Sequence, residues 1–129
     1  MKPHQVVKSG AILAALGIAA GAFGAHGLKG KVEPKDLETF EIAVRYQMYH
    51  ALGLLAVGAW FGAVARLPKP ASAAIGMLII GTLIFSGTLY GIVVGGPRWL
   101  GAITPIGGTL QIIGWAVLAA NVKESGGDR

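Results

Sequence analysis

The segment AVRYQMYHALGLLAV (residues 43–57) combines two kinds of chemistry, and this combination decides the fold. Its second half, ALGLLAV, is as apolar as the interior of a lipid bilayer. Its first half carries Arg45, Tyr46, Gln47, Tyr49 and His50. A helix that crosses a membrane must hold such groups against other helices or near the lipid headgroups. The segment therefore predicts a membrane-spanning helix that begins with polar side chains.

The composition of the whole chain indicates a lipid environment. Of its 129 residues, 53% are hydrophobic and 13% are charged, and the mean hydropathy is +0.63. So few polar residues cannot cover the surface of a soluble domain of this size. The length predicts a single membrane domain, residues 1–129. The net charge of +5 comes from scattered Lys and Arg residues, which favours lipid headgroups and not nucleic acid as the partner.

Four long windows of the sequence contain no Asp, Glu, Lys or Arg. They hold 20, 20, 28 and 24 residues, and they lie between Lys8 and Lys29, Arg45 and Arg66, Lys69 and Arg98, and Arg98 and Lys123. A helix needs about 20 apolar residues to cross a bilayer. The windows predict an all-α fold, an integral membrane four-helix bundle. Its spans are expected at about 8–28, 45–66, 71–95 and 100–122.

The second helix is predicted to be long and to carry an amphipathic foot at the membrane interface. No helix breaker lies between Pro34 and Arg66, and Pro34 suits the first turn of a helix. Asp36 and Glu38 suit the positive end of the helix dipole. We therefore expect one helix from near Glu33 through the second span.

Both termini are expected on the same side of the membrane, because the number of spans is even. That side holds six basic residues: Lys2, Lys8, Arg66, Lys69, Lys123 and Arg129. The other side holds five: Lys29, Lys31, Lys35, Arg45 and Arg98. Cytoplasmic loops are enriched in Lys and Arg, so the count favours cytoplasmic termini by a narrow margin.

Small residues recur at the four-residue spacing that lets membrane helices approach closely. The GxxxG pairs are Gly17 with Gly21, Gly58 with Gly62, and the series Gly87, Gly91 and Gly95. A single match of this kind is weak evidence. Together the matches predict a tight bundle, and they leave open assembly into a homo-oligomer or a larger membrane complex.

Polar side chains in four separate segments are expected to meet in one leaflet, on the side of the first loop. An ionisable group inside a membrane is costly unless it is paired, and it raises a functional hypothesis by default. Glu41 and Arg45 have the acid-first i, i+4 order of a helical ion pair. The predicted cluster, which would either bind a ligand or lock the bundle, comprises His26, Glu41, Arg45, Tyr46, Gln47, Tyr49, His50, Ser86, Tyr90 and Thr104.

Simpler interpretations stand beside this cluster. The tyrosines, Arg45 and Trp99 could form an interfacial belt, with Trp60 and Trp115 as anchors or packing residues. His26 and His50 could ligate a metal or a haem, but no further His, Cys or paired carboxylate in the spans completes a metal set. No catalytic triad is indicated, because no span contains Asp or Glu. We therefore expect no metal, no cofactor and no catalytic residues.

Several motifs resemble one known family. They are GAFGAHGLK (21–29), FEIAVRYQMYHALGLLAV (40–57), FSGTLYG (85–91), ITPIGG (103–108) and GW (114–115). In this order they resemble the YgdD-like family of small bacterial inner-membrane proteins, a domain of unknown function. The resemblance covers nearly the whole chain and implies four spanning helices in the bacterial inner membrane. It brings no activity with it.

Three functions follow as hypotheses. The favoured one is a non-enzymatic membrane protein with a structural, accessory or partner-binding role, in which the polar cluster locks the bundle. The alternative is a protein that binds a small molecule, lipid or ion, or conducts it, and uses the cluster as a site. An enzyme or haem carrier has the least support.

Overall fold

The computed structural model describes residues 1–122, which form four α-helices and one π-helical turn. Helix α1 spans Pro3–Phe23 and continues through the π-helical turn Gly24–Leu28, α2 spans Pro34–Ala63, α3 spans Lys69–Val93 and α4 spans Leu100–Asn121. No strand occurs within residues 1–122, so the all-α prediction is confirmed. Lys123 and Arg129, which contributed to the charge count, lie outside the described residues.

Three of these helices are long and apolar enough to cross a membrane: the continuous helix Pro3–Leu28, α3 and α4. The long second helix is also confirmed, since α2 has 30 residues and Pro34 in its first turn. It is not among the three, because polar side chains in its first half lower the hydropathy of the helix. A crossing by α2 stays a prediction.

Contacts at the helix ends place the loops on two sides of the bundle. Arg98, in the loop between α3 and α4, forms an ion pair with Asp36 in the first turn of α2, with 3.5 Å between Nη1 and Oδ1. At the other end, the amino group of Met1 donates to Ser72 Oγ in the first turn of α3, at 3.4 Å. The first and third loops therefore share one end, and the N-terminus shares the other with the second loop.

Glycines set which helices touch. Helix α1 packs along α2, α4 packs along α3, and the two pairs meet where α2 contacts α3. A Cβ on Gly10 would lie 2.7 Å from the Ala51 carbonyl oxygen, and one on Gly107 would lie 2.5 Å from the Phe85 amide nitrogen. These contacts need glycine, because any side chain would collide with the facing backbone. Close packing of this kind holds membrane helices together, since lipid supplies no hydrophobic force between them. Gly87, from the predicted series, instead faces open space.

Within residues 1–122, one groove lies between α1 and α3 and another lies between α2 and α4, the helices that do not pack along each other. The α1–α3 groove has a volume of about 220 Å³ and is lined by Leu13, Leu16, Ala20, Gln47, Thr82, Leu83, Ser86, Gly87 and Tyr90. The α2–α4 groove has a volume of about 430 Å³ and is lined by Ala56, Val57, Trp60, Phe61, Trp115, Leu118, Ala119 and Val122. Between them lies an apolar core to which all four helices contribute.

Candidate functional site

Gln47 joins three helices. Its side chain is 6% exposed on the inner face of α2, and its Nε2 donates to the carbonyl oxygen of Leu13 at 2.9 Å. Its Oε1 accepts a hydrogen bond of 2.6 Å from the Tyr90 hydroxyl. Leu13 lies in the middle of α1, ten residues from each end. The amide of Gln47 therefore ties the centre of α1 to α2 and α3.

Ser86 and Tyr90, one turn apart on α3, both bind α2. Ser86 Oγ donates to the Ala43 carbonyl oxygen at 2.7 Å. The Tyr90 ring packs on Phe40 with 5.0 Å between ring centroids. Because helical side chains lean towards the N-terminus of their own helix, Tyr90 points from the end of α3 back towards the middle of the bundle and reaches Gln47.

His50 links α2 to α4. Its Nε2 accepts a hydrogen bond of 3.1 Å from Trp115 Nε1, and its Nδ1 lies 2.8 Å from the Tyr46 carbonyl oxygen. A carbonyl oxygen and an indole N–H can both be satisfied only when the proton sits on Nδ1, so these bonds select that neutral tautomer. Gly53 makes room for the indole, since a Cβ there would lie 2.7 Å from the ring.

Two further pairs join α3 to α4. The hydroxyl oxygens of Thr88 and Thr104 lie 2.6 Å apart. Closer to the helix centres, Gln111 Nε2 donates to Thr82 Oγ1 at 3.3 Å, and Thr82 Oγ1 donates to the Leu78 carbonyl oxygen. Both Thr82 and Gln111 are buried. The predicted cluster contained Thr104 but not its partner Thr88.

Five of the predicted residues lie on the outside of the bundle: His26, Glu41, Arg45, Tyr46 and Tyr49. Tyr46 packs on Phe85 with 4.7 Å between ring centroids and on Tyr49 with 5.5 Å. Glu41 and Arg45 form no ion pair within 4 Å, contrary to the prediction from their spacing. An exposed ion pair gains little energy and costs side-chain entropy, so nothing holds these two side chains together.

The predicted residues that bond to another helix inside the bundle are therefore Gln47, His50, Ser86, Tyr90 and Thr104, and of these five only Gln47 and Tyr90 share a hydrogen bond. Their links extend from the middle of the helices, at Leu13, to the ends near the first loop. Sequence reasoning missed Trp115, Thr82, Thr88 and Gln111 as partners. Thr82, Ser86 and Tyr90 are spaced four residues apart, a pattern in the sequence that could have indicated a common polar face.

Every buried side-chain nitrogen or oxygen in residues 1–122 has a hydrogen-bond partner. No group of three or more His, Cys, Asp or Glu side chains in this range is placed to hold a metal ion. His26 lies exposed on the π-helical turn, whereas both ring nitrogens of His50 are occupied by Tyr46 and Trp115. The structure does not bring the two imidazoles together.

Fold and site define a helical membrane protein in which neutral polar groups join the helices. The sequence profile of the family described as "Protein of unknown function (DUF423)" matches residues 20–108. The chain therefore belongs to this family. The matched range contains four of the five motifs quoted above. A membrane family of unknown function is thus confirmed, and the YgdD-like name stays a prediction.

The chain is also similar to bacterial relatives over most of its length. A UPF0382 membrane protein of Staphylococcus epidermidis is 47% identical over 118 residues, which cover 91% of this chain and 94% of that protein. The UPF0382 membrane protein YwdK of Bacillus subtilis is 43% identical over 115 residues, covering 88% and 93%. No solved structure matches the chain.

Proposed function

We propose that this chain is a structural or accessory protein of the bacterial inner (plasma) membrane, with no catalytic activity of its own. Its polar cluster holds the helices together. The observation that carries the proposal is that every buried side-chain nitrogen or oxygen in residues 1–122 has at least one hydrogen-bond partner within the protein. A catalytic site instead keeps groups poised for substrate and gives up stability to do so.

The links that support this role cross every helix contact in the bundle. Gln47 binds α1, Ser86 and Tyr90 bind α2, Trp115 binds α2, and Gln111 binds α3. Hydrogen bonds between helices in a membrane contribute on average about 0.6 kcal/mol and at most about 1.7 kcal/mol each. Several of them together stabilise one arrangement of helices against the alternatives that apolar packing alone would permit.

The replacement Gln47→Leu tests the locking role. It removes the bonds to Leu13 and Tyr90, and we expect it to destabilise the protein by about 1–2 kcal/mol. The measurement is the thermal unfolding midpoint in detergent. Tyr49→Phe is the matched control, because Tyr49 is exposed and its hydroxyl makes no hydrogen bond in residues 1–122. An unfolding midpoint that rises in Gln47→Leu would instead indicate a site kept for chemistry, and would refute the proposal.

The proposed topology has four crossings and cytoplasmic termini, supported by the charge count and by the placement of the loops at two ends. The chain has no cysteine, so single cysteines report location without background. A membrane-impermeant maleimide applied to intact cells should label Lys31→Cys in the first loop and leave Lys69→Cys at the second loop unlabelled. The reverse pattern would show that the termini are outside, and labelling of both would show that α2 does not cross.

A homo-oligomer or a larger membrane complex is the assembly that an accessory role requires. Exposed apolar side chains such as Ile18 and Ile112, 66% and 72% exposed, give each outer helix a face that lipid or another protein must cover. Native mass spectrometry of the protein released directly from membranes measures copy number and any bound subunit. A species that is always a single chain without companions would contradict the accessory role.

A further inference from the structure

The α1–α3 groove opens on the lipid-facing surface of the bundle. The side chains at its mouth, Leu16 and Leu83, are 57% and 58% exposed. Its interior is shaped by Gln47, Ser86 and Tyr90, all of which also hold α2 to its neighbours. An occupant must therefore arrive from the bilayer through an apolar opening and meet polar groups inside.

The polar groups in the α1–α3 groove keep unused hydrogen-bonding capacity. The Gln47 amide has two N–H donors, and Leu13 accepts one of them. The Tyr90 and Ser86 hydroxyls each donate one hydrogen bond, which leaves their oxygens free to accept another. The groove thus offers both a donor and acceptors. A hydroxyl is the small group that uses both at once, since it accepts from Gln47 and donates to Tyr90 or Ser86.

No residue that lines the α1–α3 groove carries a charge. A phosphate or ammonium head would lose its hydration there without an opposite charge to replace it, and this cost is high at membrane depth. A neutral head loses much less. The volume of about 220 Å³ holds on the order of seven heavy atoms at roughly 30 Å³ each, which is a hydroxyl with a short stretch of chain.

We propose that the α1–α3 groove binds the hydroxyl end of a neutral lipid, such as a diacylglycerol or a long-chain alcohol. Gln47 donates to the lipid oxygen, and the Tyr90 or Ser86 oxygen accepts the lipid hydroxyl proton. The first carbons of the chain lie against Leu13, Leu16 and Leu83, and the remainder leaves between the two leucines at the mouth. The side chains that bind the lipid are the ones that hold the helices together, so this inference rests on the proposed function.

Gly87 provides a variant that narrows the groove. Gly87 lines the groove, and a Cβ there would meet nothing within 4 Å, so Gly87→Leu adds a side chain at the groove wall without a collision at its first atom. Gly76 is the matched control. It lies 11 residues earlier on α3, on the same face and about 16 Å away along the helix, and its Cβ also meets nothing within 4 Å. It does not line the groove.

The test is native mass spectrometry of the full chain in detergent, titrated separately with dioleoylglycerol, oleyl alcohol, oleyl methyl ether and dioleoylphosphatidylcholine. We expect one-to-one adducts with the first two probes at concentrations about tenfold lower than with the ether or the phospholipid. The factor of about ten corresponds to one hydrogen bond, which a probe without a hydroxyl group cannot donate. Gly87→Leu should weaken the alcohol adduct by at least about tenfold, and Gly76→Leu should bind as the unmodified chain does.

Two outcomes would overturn the proposal. One is equal affinity for oleyl alcohol and its methyl ether, measured on the unmodified chain, which needs no variant to fold. The other is equal binding by Gly87→Leu and Gly76→Leu after both show the unfolding midpoint of the unmodified chain. An adduct with only one of the two hydroxyl probes supports the site and assigns its ligand as a single-chain alcohol or a diacylglycerol.

Discussion

The α1–α3 groove and the α2–α4 groove have the same structural origin and opposite chemistry. Each exists because two helices that do not pack along each other are held apart by their closely packed partners. The α1–α3 groove runs from the middle of the helices towards the first loop, and four of its nine lining residues are polar. The larger α2–α4 groove lies in the half near the termini, and Trp60 and Trp115 are the only lining residues with a polar atom in the side chain.

The contrast shows that the polarity of a groove depends on the side chains of helix α3 and not on the volume of the groove. Thr82, Ser86 and Tyr90 follow one face of α3 at intervals of four residues, and that face points into the α1–α3 groove. The walls of the α2–α4 groove are mostly Ala, Val and Leu residues. His50 and Trp115 form a polar contact beside that groove. The indole N–H donates to Nε2 of His50, and Nδ1 is bound to the Tyr46 carbonyl oxygen, so none of these nitrogens is left for a ligand. Of the two grooves, only the α1–α3 groove offers a donor together with acceptors, because the indole of Trp60 in the α2–α4 groove can only donate.

The largest effect is expected where the backbone contact that holds α4 against α3 is broken. Gly107→Ala would put a methyl group 2.5 Å from the Phe85 nitrogen and 2.7 Å from the Gly81 carbonyl oxygen, so α3 and α4 must separate. We expect a loss of about 3 kcal/mol, at the upper end for overpacking. Chemical denaturation in mixed micelles measures it. A nearly neutral substitution would mean that α4 can move away from α3 freely, and that the close α3–α4 packing does not hold α4 apart from α2.

A smaller effect is expected at the boundary of the α2–α4 groove. Gly53→Ala would push the Trp115 indole away and break its hydrogen bond to His50, at a cost of about 1 kcal/mol that better helix propensity partly offsets. Stability should therefore change by less than 1 kcal/mol, while the fluorescence of Trp115 shifts. Replacing Trp60 and Trp99 by Phe in both proteins isolates that signal. An unchanged spectrum would show that the indole is not held by the imidazole.

The smallest effect is expected from filling the α2–α4 groove itself. Ala119 lines this groove and is exposed, so Ala119→Leu should alter stability by no more than about 0.5 kcal/mol. It should also leave the preference for oleyl alcohol over oleyl methyl ether unchanged, in contrast to Gly87→Leu. Should Ala119→Leu abolish that preference, the hydroxyl would be recognised in the wrong groove and the contrast between the two grooves would fail.

Part of the site could be predicted from the sequence because polar residues are rare in apolar helices and stand out there. Gln47, Ser86, Tyr90 and Thr104 were identified on this ground, and each makes a hydrogen bond to another helix. Their partners were harder to find. The acceptors for Gln47 and Ser86 are the carbonyl oxygens of Leu13 and Ala43, and every residue has such an oxygen, so no pattern in the sequence marks them.

Two adjacent residues on α2 show a second feature that the sequence does not predict, namely which side chains point into the bundle. Tyr46 and Gln47 differ by one position, which turns the second side chain by about 100° around the helix. Gln47 is 6% exposed and Tyr46 is 37% exposed, although the sequence placed both in one cluster. A rotation of the helix by that angle would exchange their roles. The rotation is set by contacts with α1 and α3, and composition says nothing about them.

The membrane environment of this protein, its helical class and its long second helix follow from the sequence alone. In lipid, an uncharged window of 20 or more residues can form all its backbone hydrogen bonds only as a helix. This holds whichever helices are its neighbours. Tertiary structure alone decided which helices pair, which side chains point inward and where the grooves open. The reason is that lipid favours no helix pair over another, so the choice depends on where glycine backbones fit together, as at Gly10 and Gly107.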